Sequence, residues 1–131
     1  MKTFFLTLIF ALTTMLTFAQ STSQPLIQNI STDSTVVYRL FVTMNGYNFI
    51  KLNTRNGQMW QTQWGTESKH RFETTLSDIP LVEKVEEKNG RFCLYPTTNT
   101  YNLILLDQID GRTWQVQWNF DAEKRGIVRI Y

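Results

Sequence analysis

Apolar and polar side chains alternate along most of the chain, and Gly, Asn and Asp break the alternation at short intervals. Alternation with a period of two, in segments rich in Val, Ile, Tyr, Phe, Trp and Thr, marks half-buried strands. The pattern predicts strands at residues 35–44, 47–53, 58–64 and 70–76, and again at 91–97, 101–107, 112–118 and 126–131. Side chains two apart share a face of a strand. Trp60, Thr62 and Trp64 therefore lie on one side, as do Trp114, Val116 and Trp118. Gln61, Gln63, Gln115 and Gln117 lie opposite them. In the strands before these, Ile50 and Leu52 share a side, matched by Ile104 and Leu106, while Tyr47 and Phe49 take the other. Both faces of those strands are apolar, which predicts a central place in a sheet.

The two groups of strands are nearly one phrase written twice. At an offset of 54, "YNFIKLNTRNGQMWQTQW" falls on "YNLILLDQIDGRTWQVQW" without a gap. Tyr47/Tyr101, Asn48/Asn102, Gly57/Gly111, Trp60/Trp114, Gln61/Gln115 and Trp64/Trp118 are among the identities. Such density marks two copies of one supersecondary unit. The turns "NTRNGQ" and "DQIDGR" carry hairpin chemistry: Asn53 or Asp107 accepts backbone hydrogen bonds at the start, and Gly57 or Gly111 takes positive φ at the end. "TMNGYN" and "PTTNTYN" predict further hairpin turns, with Asn99 in the left-handed conformation.

One hairpin cannot bury its own apolar face, but two equivalent sheets can bury each other's. The expected fold is all-β: two tandem units of about four antiparallel strands, residues 35–76 and 91–131, forming a pseudo-two-fold sandwich or a closed barrel. The tryptophans would lie in or near the shared core. The charged connection, residues 77–90, suits an exposed link with one helical turn near 81–87. Residues 20–34 read as a polar lead, docked only where Leu26 and Ile27 touch the domain.

"RFCLYPTTN" followed by "YNLILLDQIDGRTWQVQW" resembles small exported bacterial proteins of unassigned function. Their repeated motif reads R-F-x-L-Y-P-T-x-N-x-Y-x-x-x-L-L-D-x-x-x-G-x-x-W-Q-V-Q-W. The match covers residues 91–118, and residues 40–64 more loosely; it implies no activity and no catalytic residues. "LLDQIDGRTW" is also similar in part to hairpins of quinoprotein-type propeller blades. Two blades do not close a propeller, which takes four or more, so that likeness reads as shared hairpin chemistry.

Before these strands, Lys2 is followed by an apolar run from Phe4 to Ala19, with Thr17 and Ala19 at −3 and −1 of a cleavage site. This is the grammar of an export signal spanning residues 1–19. The run, about 16 residues, is short for a membrane span, so no span is expected after cleavage. A single cysteine, Cys93, rules out an intramolecular disulfide although export would permit one. That points to a bacterial periplasm or exterior. "NIS" at Asn29 is a glycosylation sequon. The chain holds 13 basic and 11 acidic residues, interspersed, with no basic stripe; this disfavours nucleic acid as a partner.

The catalytic inventory is thin. His70 sits in a polar run and Cys93 inside a strand, where a lone cysteine is usually apolar filler. Asp107 and Asp110 flank one turn, but Asn53 and Asn56 replace them in the first copy, so turn chemistry suffices for them. No enzyme, metal or cofactor is expected. Aromatics make up 14% of the chain. Trp64 and Trp118, ending their strands beside Gln61, Gln63, Gln115 and Gln117, are candidate binding residues for a sugar face or a protein hot spot. The connection adds Glu83, Glu86 and Glu87, an acidic loop suited to plugging a basic cleft. The expected function is an exported, non-catalytic binding module for a protein or glycan at the bacterial envelope. The alternative is a periplasmic immunity or inhibitor protein that neutralises a toxin or hydrolase.

Overall fold

The computed structural model describes residues 33–131. The export signal at 1–19, the sequon at Asn29 and the docking of Leu26 and Ile27 lie outside them. Eight strands follow in chain order: β1 Tyr38–Val42, β2 Asn48–Asn53, β3 Met59–Gln63, β4 Phe72–Ser77, β5 Phe92–Pro96, β6 Asn102–Asp107, β7 Thr113–Gln117 and β8 Gly126–Ile130. They form two antiparallel sheets, ordered β1-β2-β3-β4 and β5-β6-β7-β8. β2 and β6 are internal, as their two apolar faces predict. The sheets stack as a sandwich around one apolar core drawn from both. Among the described residues no strand pair joins the two sheets, so the barrel does not form. Short 3-10 turns at Ser68–His70, Lys84–Glu86 and Ala122–Lys124 complete the chain.

The ladders share one register at an offset of 54. Phe41, Ile50, Gln61 and Thr74 stand side by side across the first sheet. Their counterparts Tyr95, Ile104, Gln115 and Val128 do so across the second. A one-residue bulge between Met59 and Trp60 is confined to the first sheet.

Burial separates what register makes alike. In the first sheet Phe41, Ile50 and Gln61 are buried, and Leu40 and Tyr38 on the other face are exposed. In the second sheet the buried row is Leu94, Leu105 and Trp114, whose counterparts are Leu40, Lys51 and Trp60. The expected pseudo-two-fold is thus corrected. A two-fold axis would bury the same positions on both sheets, whereas here one sheet buries the face that the other turns outward. The sheets are stacked front to back. Both faces carry apolar residues, and either can serve as the core.

Turn chemistry holds as read. Gly57 and Gly111 have φ of 84° and 81°. Asn53 Oδ1 accepts from the Arg55 N–H at 3.0 Å, and Asp107 Oδ1 from the Ile109 N–H at 3.0 Å. Asn99 is a correction: no residue other than glycine has positive φ among the described residues. The turn is held by side chains instead. The Thr97 hydroxyl donates to the Asn102 carbonyl at 2.6 Å, and Asn99 Oδ1 accepts from the Tyr101 N–H at 3.0 Å. Thr43 and Asn45 repeat this in the first sheet.

The connection crosses the first turn. The Leu81 N–H donates to the Asn56 carbonyl at 2.8 Å, and the Phe92 N–H to the Thr54 carbonyl at 2.8 Å. A Cβ on Gly57 would stand 2.7 Å from Leu81 Cδ1, whereas at Gly111 it would meet nothing. The second turn is anchored by charge. Asp107 is fully buried, and both its oxygens accept from Arg91 Nε at 3.0 Å. Burial alone would raise the Asp107 carboxyl. Hydrogen bonds from Arg91 and from the Ile109 and Asp110 N–H groups outweigh it and hold the carboxyl below the usual aspartate range. In the first sheet the corresponding residues are Asn53 and Val37, a neutral solution to the same turn.

Two outcomes follow. Arg91→Val alone leaves Asp107 buried without its main partner and is expected to cost about 3–5 kcal/mol. Adding Asp107→Asn, which installs the first sheet's pair, is expected to recover more than half of that in urea unfolding. A depressed carboxyl stabilises above its unfolded pKa and loses that contribution as pH falls through the folded value. The parent protein should therefore lose stability below about pH 4 more steeply than the double variant; parallel acid profiles would contradict the pairing. Separately, Gly57→Ala should destabilise more than Gly111→Ala, which carries only the left-handed backbone cost of about 1–2 kcal/mol. Thermal melts of the two variants decide it.

Candidate functional site

The outward face of the first sheet carries Tyr38, Phe49 and Trp60 together, Tyr38 exposed and the other two half-buried. β1, β2 and β3 place Leu40, Lys51 and Trp60 in one row, and Val42, Phe49 and Thr62 in the next. Tyr38 and Trp60 lie 6.2 Å apart by ring centroids. Lys51 Nζ sits 5.0 Å from the Trp60 ring and 2.5 Å from Glu73 Oε1. The hydrogen bond from Lys51 holds the Glu73 carboxyl below its usual range, against a small opposing effect of burial. The charges on this face thus neutralise each other locally, and its rings remain open.

At one end of this face the Trp64 ring packs 5.1 Å from Tyr47 and donates from Nε1 to the Gly46 carbonyl at 2.7 Å. A cleft of about 380 Å³ opens there, lined by Tyr47, Gln63, Trp64, Glu67, His70 and Phe120, with Asn45, Asn48, Gly65 and Thr66. Gln63 donates from Nε2 to the His70 carbonyl at 2.9 Å, while its Oε1 is buried with no partner. Trp64 is 48% exposed.

The other predicted residues are scattered. Trp118, the counterpart of Trp64, is fully buried against Tyr101 and Phe120, with its Nε1 donating to the Thr100 carbonyl at 2.9 Å. Of the two settings the sequence left open for it, core or binding surface, Trp118 takes the core side of the second sheet. Gln61, expected on an outer face, is also corrected. It is fully buried and donates to Asn48 Oδ1 at 3.3 Å. Gln115 is exposed and Gln117 half-buried on the outward face of the second sheet, where Gln115 donates to Asn102 Oδ1 at 2.8 Å. Trp60 was read as core and is half-buried on the outward face.

The acidic loop is engaged in part: Glu83 and Glu86 are exposed, and Glu87 is tied to the first turn. Glu87 pairs with Arg55 at 3.6 Å and accepts from Asn56 Nδ2 at 3.0 Å. Glu86 closes a capping box with Glu83 around the 3-10 turn. Sequence reading missed the outward row of Tyr38, Leu40 and Lys51, because strand parity alone does not say which apolar face is wet. Lys51 and Glu73 were a readable signal, since apolar Leu105 and Ile127 hold the corresponding positions of the second copy.

The catalytic candidates stay apart. His70 lines the cleft beside the first sheet, while Cys93 lies on β5 of the second, where burial pushes its thiol upward. Asp110 Oδ2 pairs with Arg112 at 2.7 Å, so both turn carboxylates are tied to guanidinium groups. Among the described residues no three His, Cys, Asp or Glu side chains are placed to hold a metal ion.

Compared with known proteins, the chain matches no family model, and no curated protein or solved structure matches it.

Equivalent tryptophans in unlike settings give a direct check. Trp118→Ala is expected to cost about 3–5 kcal/mol. Trp64→Ala should cost about 1 kcal/mol, mainly the lost contact with Tyr47. Equal losses in chemical denaturation would contradict the front-to-back stacking.

Proposed function

We propose that the chain is a tandem duplication that acts as an exported, non-catalytic binding module, with a protein as its partner at the bacterial envelope. The outward face of the first sheet is the seat. One observation carries the reading. The positions that form the core of the second sheet, Leu94, Trp114 and Trp118, have as counterparts Leu40, Trp60 and Trp64, which stay open to solvent in the first. Contiguous exposed apolar surface rimmed by polar groups marks interaction sites, and aromatic anchors dominate protein interfaces. Export rests on the residue pattern of positions 1–19.

A glycan is the second reading, favoured by the Trp64–Tyr47 cleft, whose polar lining includes Asn45, Thr66 and Glu67. The inhibitor reading has less support from the acidic loop, because Glu87 is engaged by Arg55 and Asn56, while Glu83 and Glu86 stay exposed.

A photo-crosslinking amino acid at Thr62, installed in the cells that make the protein, tests the seat. A discrete protein adduct is expected from Thr62 and not from Lys88 on the connection. No adduct, or equal adducts from both positions, would refute a protein seat. Saturable quenching of Trp64 emission by cell-wall oligosaccharides, without an adduct, would favour the glycan.

A further inference from the structure

We infer that the partner of this face is a second copy of the same chain, which lays the outward face of its second sheet there, front to back. The inference rests on the protein seat just described. Within one chain the interface joins two unlike faces. The first sheet contributes the face of Phe41, Ile50 and Gln61; the second contributes the face of Leu94, Leu105 and Trp114. Each sheet has one further face, and each is the counterpart of the face the other buries. The first sheet's outward row, Leu40, Lys51 and Trp60, corresponds to the second's buried row. The second sheet's outward row, Tyr95, Ile104 and Gln115, corresponds to the first's buried row. The chain is therefore a unit whose two ends are the two halves of its own internal interface. Repeating the internal step places the second sheet of one copy against the first sheet of the next and continues the same packing.

The chemistry of the open faces is compatible. Tyr95, Val128 and Ile130 are exposed on the second sheet, 46%, 69% and 40%, and Cys93, Ile104 and Leu106 are half-buried among them. That face carries no charged side chain in its two central rows, and its cations, Lys124 and Arg125, stand at the margin beside Gln117 and Gly126. The first sheet's charges are already joined at 2.5 Å. Covering an ion pair still carries a desolvation penalty. The contact should accordingly be reversible, weaker than the internal one, where Leu105 and Ile127 replace the pair. A contact between unlike faces is heterologous and closes into a ring or runs on as a stack. Four-stranded antiparallel sheets arranged radially close at about four to eight sheets, here about two to four chains.

Analytical ultracentrifugation of the mature chain across concentrations tests this. Reversible association is expected. Leu40→Glu on the first face and Val128→Glu on the second should each be monomeric alone. Mixed, they should form a one-to-one dimer, because each retains the half the other lost. Lys51→Leu with Glu73→Ile, which installs the second sheet's residues, should lower the midpoint concentration of assembly at least tenfold, and adding Val128→Glu should abolish it. Alkylation of Cys93 in the unmodified protein should slow as concentration rises, a readout that needs no variant. A chain monomeric at every concentration, single-face variants that still self-associate, or a mixture that does not pair would each overturn the inference. So would a monomer whose Trp60 becomes accessible only when residues 20–32 are removed. If the chain is monomeric while Thr62 yields adducts of a different protein, the seat stands and self-stacking fails. If Thr62 yields no adduct and the chain is monomeric, both fail.

Discussion

Everything in this molecule depends on a packing constraint: each sheet is apolar on both faces, and one twin can cover only one of them. Most antiparallel sheets avoid the problem with one dry face and one wet face. Here Ile50 and Leu52 face one way on β2, while Phe49 faces the other; on β6 Leu103 and Leu105 oppose Ile104 and Leu106. The solution is front-to-back stacking, in which the face of Phe41, Ile50 and Met59 meets that of Leu94, Leu105 and Trp114. Each face brings one ring, Phe41 or Trp114, among aliphatic side chains, so the two unlike faces can interdigitate as close packing of an interior requires. Two like faces would set ring against ring or leave Gln61 opposite Gln115.

Holding two sheets in that relation falls to the connection and the turns. The backbone bond from Phe92 to Thr54 fixes the start of β5 beside the first turn. Gly57 leaves the space that Leu81 fills. Glu87 is drawn onto Arg55 and Asn56, and Asn89 Nδ2 reaches the Ser34 carbonyl at 2.8 Å. The second turn lacks that cover. Its carboxylate is buried all the same, and Arg91 supplies the countercharge that Val37 does not need to supply to Asn53. The same hairpin is therefore held in one place by neutral amide bonds under a lid of chain, and in the other by a buried ion pair.

Strand positions, internal strands, the 54-residue register and the glycine turns were all legible, because period, propensity and turn residues are local properties. Which face turns inward was not. Alternation assigns residues to faces but does not say which face is dry when both are apolar. Gln61, read as outward, and Trp60, read as core, were misplaced for that single reason: they lie on opposite faces of β3, and the core sides of the two sheets are not equivalent. Asn99 failed differently. A left-handed Asn is one way to close a short hairpin, and the Thr97 hydroxyl with the Asn99 carboxamide offered another at no backbone strain. The acidic loop was legible as exposed chain but not as a clamp, since its partners Arg55 and Asn56 lie about thirty residues earlier.

One internal comparison does carry the missing information. At the positions where the second sheet has the buried Leu105 and the half-buried Ile127, the first sheet has Lys51 on β2 and Glu73 on β4, which reach across β3 to form an ion pair. Burying that pair would cost more than it returns unless its surroundings hydrogen-bond it fully, so its presence records a face that meets water for at least part of the time. Yet the residues around it were not made polar to match. Leu40, Phe49 and Trp60 keep their apolar character, and Lys51 lies over the Trp60 ring rather than away from it. A face selected only for solubility would shed its rings, and a face buried permanently would shed its charges. Keeping both rings and charges is what the proposed binding seat would require, and neither the turn carboxylates, tied to Arg91 and Arg112, nor the lone thiol offers a comparable surface.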